Sequence, residues 1–248
     1  MGSVNVHGIH KSFGNRDVLR GVTFDLREGE ILCVIGKSGS GKSVILRNLL
    51  GLIEPDAGEI LVDGVRSDHA EKKTRAELLD KFGILFQGAA LFDSLSVFDN
   101  IAFGPRREGM DEEAVLARVT PFIEKLSLGA YLGRLPAEIS GGLQKRVGLC
   151  RALARHPEIM LYDEPTTGVD PITGASVDRM IRDMRDAYQV TSLVITHDMN
   201  AVKRVADRVA MLHEGKIIFE GSPDELFASK DTVIRHFTEG KSDETAFA

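Results

Sequence analysis

The residues with the most specific chemistry lie in one short segment, 36–43, which reads GKSGSGKS. It fits the pattern G-x-x-x-x-G-K-[ST], in which glycines let consecutive backbone N–H groups turn inward around the phosphates of a nucleotide. In this pattern Lys42 reaches the β- and γ-phosphates and Ser43 holds Mg²⁺. The flanking residues agree, because 31–35 predicts a buried strand and 44–51 predicts a helix. The N-terminus of that helix would add favourable potential for phosphate oxygens.

Two later apolar runs also end in residues that could act on a phosphate. The run 159–162 is followed by Asp163 and Glu164, and the run 193–195 is followed shortly by His197. Asp163 would complete a Mg²⁺ shell, and Glu164 would orient or deprotonate an attacking water. His197 could hydrogen-bond the γ-phosphate, although a helix-capping or surface histidine is the alternative. The seven histidines show no metal-ligand spacing, so a structural zinc is not expected.

The remaining pattern defines the elements that must position these groups. Residues 1–30 alternate in hydropathy between glycine-containing turns, which predicts short antiparallel strands. A strand at 59–62 leads into an Asp63-Gly64 hairpin turn. Further elements follow: helices over about 111–128, 140–155, 171–187 and 199–206, and strands over 208–212 and 216–219. Apolar strands that alternate with helices predict an α/β fold with a mainly parallel sheet.

Composition limits the classes of function. The 248 residues carry a net charge of −6, which argues mildly against a general binder of nucleic acid or anionic membranes. The two cysteines, Cys33 and Cys150, lie in a predicted strand and a predicted helix and are expected as buried thiols in a reducing compartment. No leader and no apolar run of about 18 residues is visible. The chain is therefore expected to be cytosolic in character and to reach a membrane only through another protein.

A family resemblance enters at residues 139–146, ISGGLQKR, which resemble the signature motif of ABC transporter ATPase subunits. Other family motifs follow the same order along about residues 4–222. Phe13 matches the aromatic residue that stacks on adenine, and Gln87 matches the Q-loop. Asp170 matches the D-loop, and His197 matches the H-loop.

The resemblance implies a fold, an activity and a site. The fold is a P-loop, RecA-like core with a mainly parallel sheet, an N-terminal antiparallel β-subdomain and an inserted α-helical signature subdomain. One ATPase domain would span 1–240, with the helical part at about 87–157 and a polar tail at 241–248. The activity is ATP hydrolysis coupled to transport, with ATP and Mg²⁺. The implied catalytic residues are Glu164, His197 and Gln87; the implied metal ligands are Ser43, Gln87 and Asp163; and the implied ATP-binding residues are Phe13, Gly36, Lys37, Ser38, Gly39, Ser40, Gly41, Lys42, Ser43, Ser140, Gly141, Gly142 and Asp170.

Partners are implied in the same way. Two chains of the family pair head to tail, so Ser140 and Gly142 would act on the ATP of the other chain in a symmetric homodimer. Leu143 replaces the usual glutamine, and this departure, with the segment 85–100, resembles the ATPases of Mce-type lipid transporters, including the Mla phospholipid system. A membrane permease would dock near residues 87–100, at the cytoplasmic face of the inner membrane, with an Mce-domain substrate-binding protein and no nucleic acid. The apolar residues of that segment could instead form the helical core.

Other functions remain open from the sequence. The runner-up is an importer ATPase for a small polar solute such as an amino acid. A chromosome or DNA-repair ATPase would split the cassette with a long coiled coil, and no sustained heptad pattern lies between Gln87 and Ser140. Translation-type members carry two cassettes, whereas one is present here. A non-hydrolysing adaptor is disfavoured by Glu164, since degenerate sites commonly lose that carboxylate.

Overall fold

A computed structural model describes residues 2–240, so the predicted tail at 241–248 lies outside the described residues. The strands are β1 Val4–Phe13, β2 Arg16–Leu26, β3 Ile31–Ile35, β4 Ala57–Val62, β5 Val65–Arg66, β6 Phe82–Leu85, β7 Ile159–Asp163, β8 Thr191–Thr196, β9 Arg208–His213 and β10 Lys216–Gly221. The helices are α1 Lys42–Leu49, α2 Lys72–Leu79, α3 Val97–Arg107, α4 Glu112–Lys125, α5 Gly141–Leu153, α6 Pro171–Tyr188, α7 Met199–Val205, α8 Pro223–Phe227 and α9 Thr232–Thr238.

The strands form two sheets. The N-terminal sheet is antiparallel with strand order β2-β1-β4-β5. The second sheet has the order β10-β9-β3-β8-β7-β6, and its pairs are parallel except for β10 with β9. Every residue of β3 is buried, as expected for a strand covered on both faces of a parallel sheet. The predicted α/β class, with an antiparallel N-terminal sheet and a parallel core sheet, is confirmed.

Two clusters of buried side chains hold these layers together. One lies between the sheets and includes Phe24, Val34 and Leu193. The other joins the opposite face of the parallel sheet to the helices. Cys33 and Cys150 belong to this second cluster as buried free thiols, as the sequence predicts. The parallel sheet is thus covered on both faces, which fixes the carboxyl ends of its strands in place.

The region between β6 and β7 is helical. Asp111 and Ser140 accept hydrogen bonds from the first turns of α4 and α5, which explains why the predicted helices begin there. The sequence pattern does not predict α3, which contains Pro105, or α2, which has only one buried residue. The division into a helical part at about 87–157 and a surrounding core stays a prediction.

The segment after Gln87 is less exposed than an outward-facing patch would be. Ala89 and Val97 are almost fully buried, so for these two residues the core interpretation is the right one. Leu91 packs partly against the same core. Phe92, in contrast, keeps 42% of its surface exposed. The apolar surface that remains available to a partner therefore centres on Phe92.

Among the described residues, no helix combines the length and the apolar character required to cross a bilayer.

Candidate active site

The phosphate loop connects the end of β3 to the start of α1. A side chain at Gly36 would overlap the Leu212 carbonyl oxygen, so the loop can leave the sheet here only as glycine. Gly41 has a φ of 110° and directly precedes the first turn of α1. Its conformation lets the backbone pass close to Leu19, where a Cβ atom would crowd. Glycine at these two positions therefore allows the close backbone approaches that shape the loop. The N-terminus of α1 is left free to bind an anion.

Lys42 is a buried cation within this loop. Its side chain is 6% exposed, and its Nζ donates to the carbonyls of Gly36 at 2.7 Å and Lys37 at 3.1 Å. Burial lowers the pKa of Lys42, and the carboxylates of Glu164 and Asp163 oppose that shift. The ammonium group is thereby held at the floor of the loop, where it can meet the charge of phosphate oxygens.

Asp163 and Ser43 bring oxygen ligands together at the edge of the loop. The Ser43 hydroxyl lies 3.3 Å from Oδ1 of Asp163, across 120 residues of sequence. Burial raises the pKa of Asp163, and the bond from Ser43 partly offsets this. A hydroxyl, a carboxylate and the nearby Gln87 amide are hard oxygen donors that suit Mg²⁺. Within residues 2–240 no group of three or more His, Cys, Asp or Glu side chains is arranged to hold a metal ion by itself.

Glu164 follows β7 in an unusual backbone conformation. Its φ is 48°, in the left-handed region that non-glycine residues rarely adopt. Its backbone N–H donates to the Ile195 carbonyl at 2.9 Å, and its Oε2 accepts from the Thr167 hydroxyl at 3.3 Å. Oε1 lies 3.8 Å from Nζ of Lys42. This strained, well-held carboxylate is directed to the phosphate end of the loop, where a general base would have to lie.

His197 lies on the neighbouring strand end, after β8. Its Nδ1 is 2.8 Å from Oε2 of Glu164, while its side chain remains 58% exposed. The ring therefore faces both the carboxylate and the open cavity. When Nδ1 carries the hydrogen, it donates to the Glu164 carboxylate, and this bond fixes the orientation of the ring.

Lys42, Ser43, Glu164 and His197 line one open cavity of about 890 Å³, whereas Asp163 does not line it but contacts Ser43. Phe13 lies at its mouth with 46% of its surface exposed, and Nζ of Lys11 is 5.7 Å from the ring centroid. Most of the residues that the sequence nominates for one nucleotide line this cavity: Phe13, Lys37, Ser38, Gly39, Gly41, Lys42, Ser43, Gln87, Glu164 and His197. Gly36 and Ser40 belong to the loop but do not face the cavity.

The signature residues lie elsewhere. Ser140 caps α5 and accepts from the Leu143 N–H at 3.4 Å, and Gly142 packs against Thr173 of α6. None of Ser140, Gly141 and Gly142 lines the cavity in the described part of the chain. Asp170 also stays outside it. The Asp170 carboxylate is engaged locally, because it caps α6 through the N–H groups of residues 172 and 173.

Some cavity residues escaped the sequence analysis. Arg16 and Val18 enter from β2, and Thr167 enters beside Glu164. Phe237 and Gly240, at the end of α9, also line the cavity. Thr167 could have been found from its position four residues after Asp163. The others depend on how distant segments pack, for which the sequence carries no local signal.

The fold and this cavity define a P-loop nucleoside triphosphatase. A family model described as ABC transporter matches residues 19–167. The chain belongs to the ABC transporter family and is an ATP-binding and ATP-hydrolysing subunit.

Three relatives illustrate the family. Over 242 residues the chain is 38% identical to a "Probable ribonucleotide transport ATP-binding protein mkl" of Mycobacterium leprae, covering 96% of this chain and 69% of that protein. Over 264 residues it is 38% identical to "Protein TRIGALACTOSYLDIACYLGLYCEROL 3, chloroplastic" of Arabidopsis thaliana, covering 97% and 74%. Over 235 residues it is 37% identical to a methionine import ATP-binding protein MetN of Caulobacter vibrioides, covering 94% and 71%.

Solved structures agree with the fold. The cbiO1 protein of Clostridium perfringens, part of an ABC transporter complex, superposes with a TM-score of 0.85 at 27% identity and covers 94% of this chain and 93% of its own. A dimeric ATP-binding cassette in a post-hydrolysis state with ADP and Pi superposes with a TM-score of 0.80 at 27% identity, covering 89% of this chain and 98% of its own.

Proposed function

We propose that this chain is the motor of a transporter that moves phospholipids or other lipids between bacterial envelope membranes, of the Mla/Mce type. The observation that carries the motor function is the cavity in which Lys42, Glu164 and His197 meet. The lipid cargo is supported by the segment 85–100 and by Leu143. It is also supported by similarity to a relative that is named for a lipid, trigalactosyldiacylglycerol.

In the proposed reaction Lys42 binds the β- and γ-phosphates and Phe13 stacks on adenine. Ser43, Asp163 and Gln87 would hold Mg²⁺, which neutralises phosphate charge when it is bound. Glu164 accepts the proton of the attacking water, and His197 hydrogen-bonds the γ-phosphate while it keeps Glu164 oriented. Burial around Lys42 strengthens its attraction for phosphate, because the local dielectric constant is below that of water.

The position of the signature supports a homodimer. Ser140 and Gly142 lie at the start of α5, outside the cavity of their own chain. A helix N-terminus is suited to bind phosphate oxygens, so these residues would complete the site of a second copy. The similar cassette of known structure is itself dimeric. Asp170 and its loop, next to the signature, would then lie at the contact between the two chains.

A second cavity supports a membrane permease as partner. It measures about 690 Å³ and lies between β6, α3 and α5, with Phe86, Phe92 and Phe103 among its lining residues. The rings of Phe92 and Phe103 are 4.6 Å apart, and together they offer an apolar surface with an arginine rim. Phe86 directly precedes Gln87, so a helix bound in this groove would lie next to the nucleotide cavity. The chain would then be peripheral on the cytoplasmic face of the inner membrane, in a complex that includes an Mce-domain protein.

The alternative is an importer for a small polar solute, and similarity to a methionine import protein favours it. Transport assays in proteoliposomes that contain the chain and its permease distinguish the two cargoes. We expect ATP-dependent transfer of a fluorescent phospholipid to acceptor vesicles, with ATPase activity that methionine does not stimulate. Glu164→Gln complexes serve as the control for passive exchange. ATP-dependent methionine uptake without lipid transfer would replace the lipid proposal with the importer.

A further inference from the structure

The turn Gln87–Ala90 holds a conformation that its own sequence does not favour. Ala89 and Ala90 have φ values of 58° and 48°, although neither is glycine. A non-glycine residue in this conformation is strained and persists only where neighbouring groups enforce it. The turn separates the nucleotide cavity, which Gln87 lines, from the groove, which Ala90 lines. The residues that hold this turn therefore determine how Gln87 in the nucleotide cavity is placed relative to the groove.

Two cations of α5 bind the carbonyls of the turn. Nζ of Lys145 donates to the Gln87 carbonyl. The guanidinium of Arg151 donates from Nη2 to the Ala89 carbonyl at 2.9 Å and from Nη1 to the Ala90 carbonyl at 2.7 Å. Three of the four carbonyls in the turn thus accept charge-assisted hydrogen bonds from one helix, and such bonds are about twice as strong as neutral ones.

Both cations are costly to keep where they are. Lys145 is 5% exposed and Arg151 is partly buried, and both donate to carbonyls of the turn. A buried cation that donates to backbone carbonyls contributes little to stability, since an apolar side chain would fill the same space without the loss of hydration. The contacts of these two cations are therefore best explained by the turn that they hold in place.

The rest of the contact is close. A Cβ atom on Gly148 would lie 3.3 Å from the Ala89 carbonyl oxygen and 2.8 Å from Leu85, so the turn packs directly on α5 at this glycine. The Arg151 guanidinium also lies 5.6 Å from the centroid of Phe92 in the groove. One helix therefore contacts the turn, the groove and, at its Ser140 end, the signature loop.

We propose that Lys145 and Arg151 are positioning residues that set the Gln87 side chain in the nucleotide cavity. Through their bonds to the carbonyls, the Gln87–Ala90 turn moves together with α5. A shift of α5, or of a ligand bound in the groove, therefore moves Gln87. The proposal rests on the role proposed above for Gln87. It adds that this role depends on carbonyl contacts from a helix 58 residues further along the chain.

The test compares Arg151→Met, Arg151→Lys and Lys145→Met in the full chain bound to its permease. Lys125→Met is the matched control, because Lys125 is a surface cation of α4 that stacks on Tyr188 and does not touch the turn. We expect kcat for ATP hydrolysis to fall about 10-fold or more in both Met variants, with KM for ATP changed by less than about 3-fold, since loss of a group that orients a metal ligand typically costs about 10–100-fold. Arg151→Lys keeps the charge but loses the two-pronged contact, so we expect an intermediate kcat.

Two further kinds of measurement, one on the single variants and one on a double variant, separate positioning from general loss of structure. Amide hydrogen exchange in a peptide covering 86–92 should rise in the variants, and binding of a fluorescent ATP analogue should be retained. The Gln87→Ala variant provides the second measurement. If the cations act through Gln87, Arg151→Met should lower kcat no further in the Gln87→Ala background.

The outcomes are distinct. Faster exchange at 86–92 with unchanged kcat would overturn the positioning role. Additive losses in the double variant would also overturn it, because the two residues would then act independently. A normal kcat in Gln87→Ala itself would instead remove the role assigned to Gln87, and the proposal with it. Arg151→Lys keeps the test valid if either Met variant fails to fold.

Discussion

Nδ1 of His197 lies 2.8 Å from Oε2 of Glu164, and the two residues follow neighbouring parallel strands, β8 and β7. The pairing leaves Oε1 of Glu164 directed towards Lys42, 3.8 Å away. One oxygen of the carboxylate is thus held by the histidine while the other stays on the phosphate side. This division suits a base that must keep its direction while it accepts a proton.

Glu164→Gln tests that assignment. The amide keeps the shape and most hydrogen bonds but cannot accept the proton. We expect turnover in the purified complex to fall by at least about 100-fold, the scale of lost base catalysis, while equilibrium binding of ATP is retained. We expect His197 to keep its position in this variant, because its ring can still bond the amide oxygen. Hydrolysis near the wild-type rate would rule out Glu164 as the base.

The sequence predicts this pair because each residue closely follows an apolar strand. Parallel strands end at one edge of a sheet, so residues that follow two apolar runs must lie close together. The loop 36–43 is predictable as well, because the spacing of its glycines specifies its backbone conformation. The contact of Lys145 with the Gln87 carbonyl has no such signal, because it joins a helix to a turn that contains two left-handed alanines. Propensity disfavours that turn, and only tertiary packing produces it.

Phe13→Ala tests nucleotide stacking at the cavity mouth. Phe13 is 46% exposed, so the structure itself loses little when the ring is removed. We expect ATP binding to weaken by about 0.5–1.5 kcal/mol, the range for one aromatic stacking contact. Equilibrium titration with a fluorescent ATP analogue measures this, with thermal unfolding as the control for folding. Unchanged affinity would show that adenine lies elsewhere.

Assembly in trans is tested by mixing two inactive chains. Ser140→Arg blocks a signature, and Lys42→Ala removes the cation aimed at the phosphates. Each homodimer has two defective sites, whereas a mixed dimer has one site with both defects and one intact site. We expect partial ATPase activity to return on mixing. A chain that hydrolyses ATP at full rate as a proven monomer would contradict the shared site.

The buried pair Asp178–Arg204 should make stability depend on pH. Asp178 is 1% exposed, and Nε and Nη2 of Arg204 lie 2.7 Å and 2.6 Å from its Oδ2. Burial raises the pKa of Asp178, and Arg204 opposes the shift. Arg204→Met removes that opposition, so the folded state holds its proton to higher pH. Stability of the variant is then lost as pH rises above the unfolded pKa of about 3.9.

We therefore expect Arg204→Met to lower the free energy of unfolding by about 2 kcal/mol at pH 8 and by clearly less at pH 5. The loss is smaller than for a deep pair because Arg204 is 40% exposed. Urea unfolding at both pH values measures the difference. Adding Asp178→Asn to the variant should remove the pH dependence. Equal losses at pH 5 and pH 8 would show that the carboxylate does not carry the effect.

Coupling to the membrane partner is tested at Phe92. Its ring is 42% exposed and lies 4.6 Å from that of Phe103, whereas Leu91 packs on the core and would report folding instead. A charge in the groove should cost about 1–2 kcal/mol or more of docking energy, so Phe92→Asp should reduce co-purification with the permease about 10-fold. Leu116→Asp is the matched control, since Leu116 is 49% exposed on α4, outside the groove. ATP binding by the isolated chain should be retained in both variants. A folded Phe92→Asp chain that stays fully bound to its permease would place the coupling surface elsewhere.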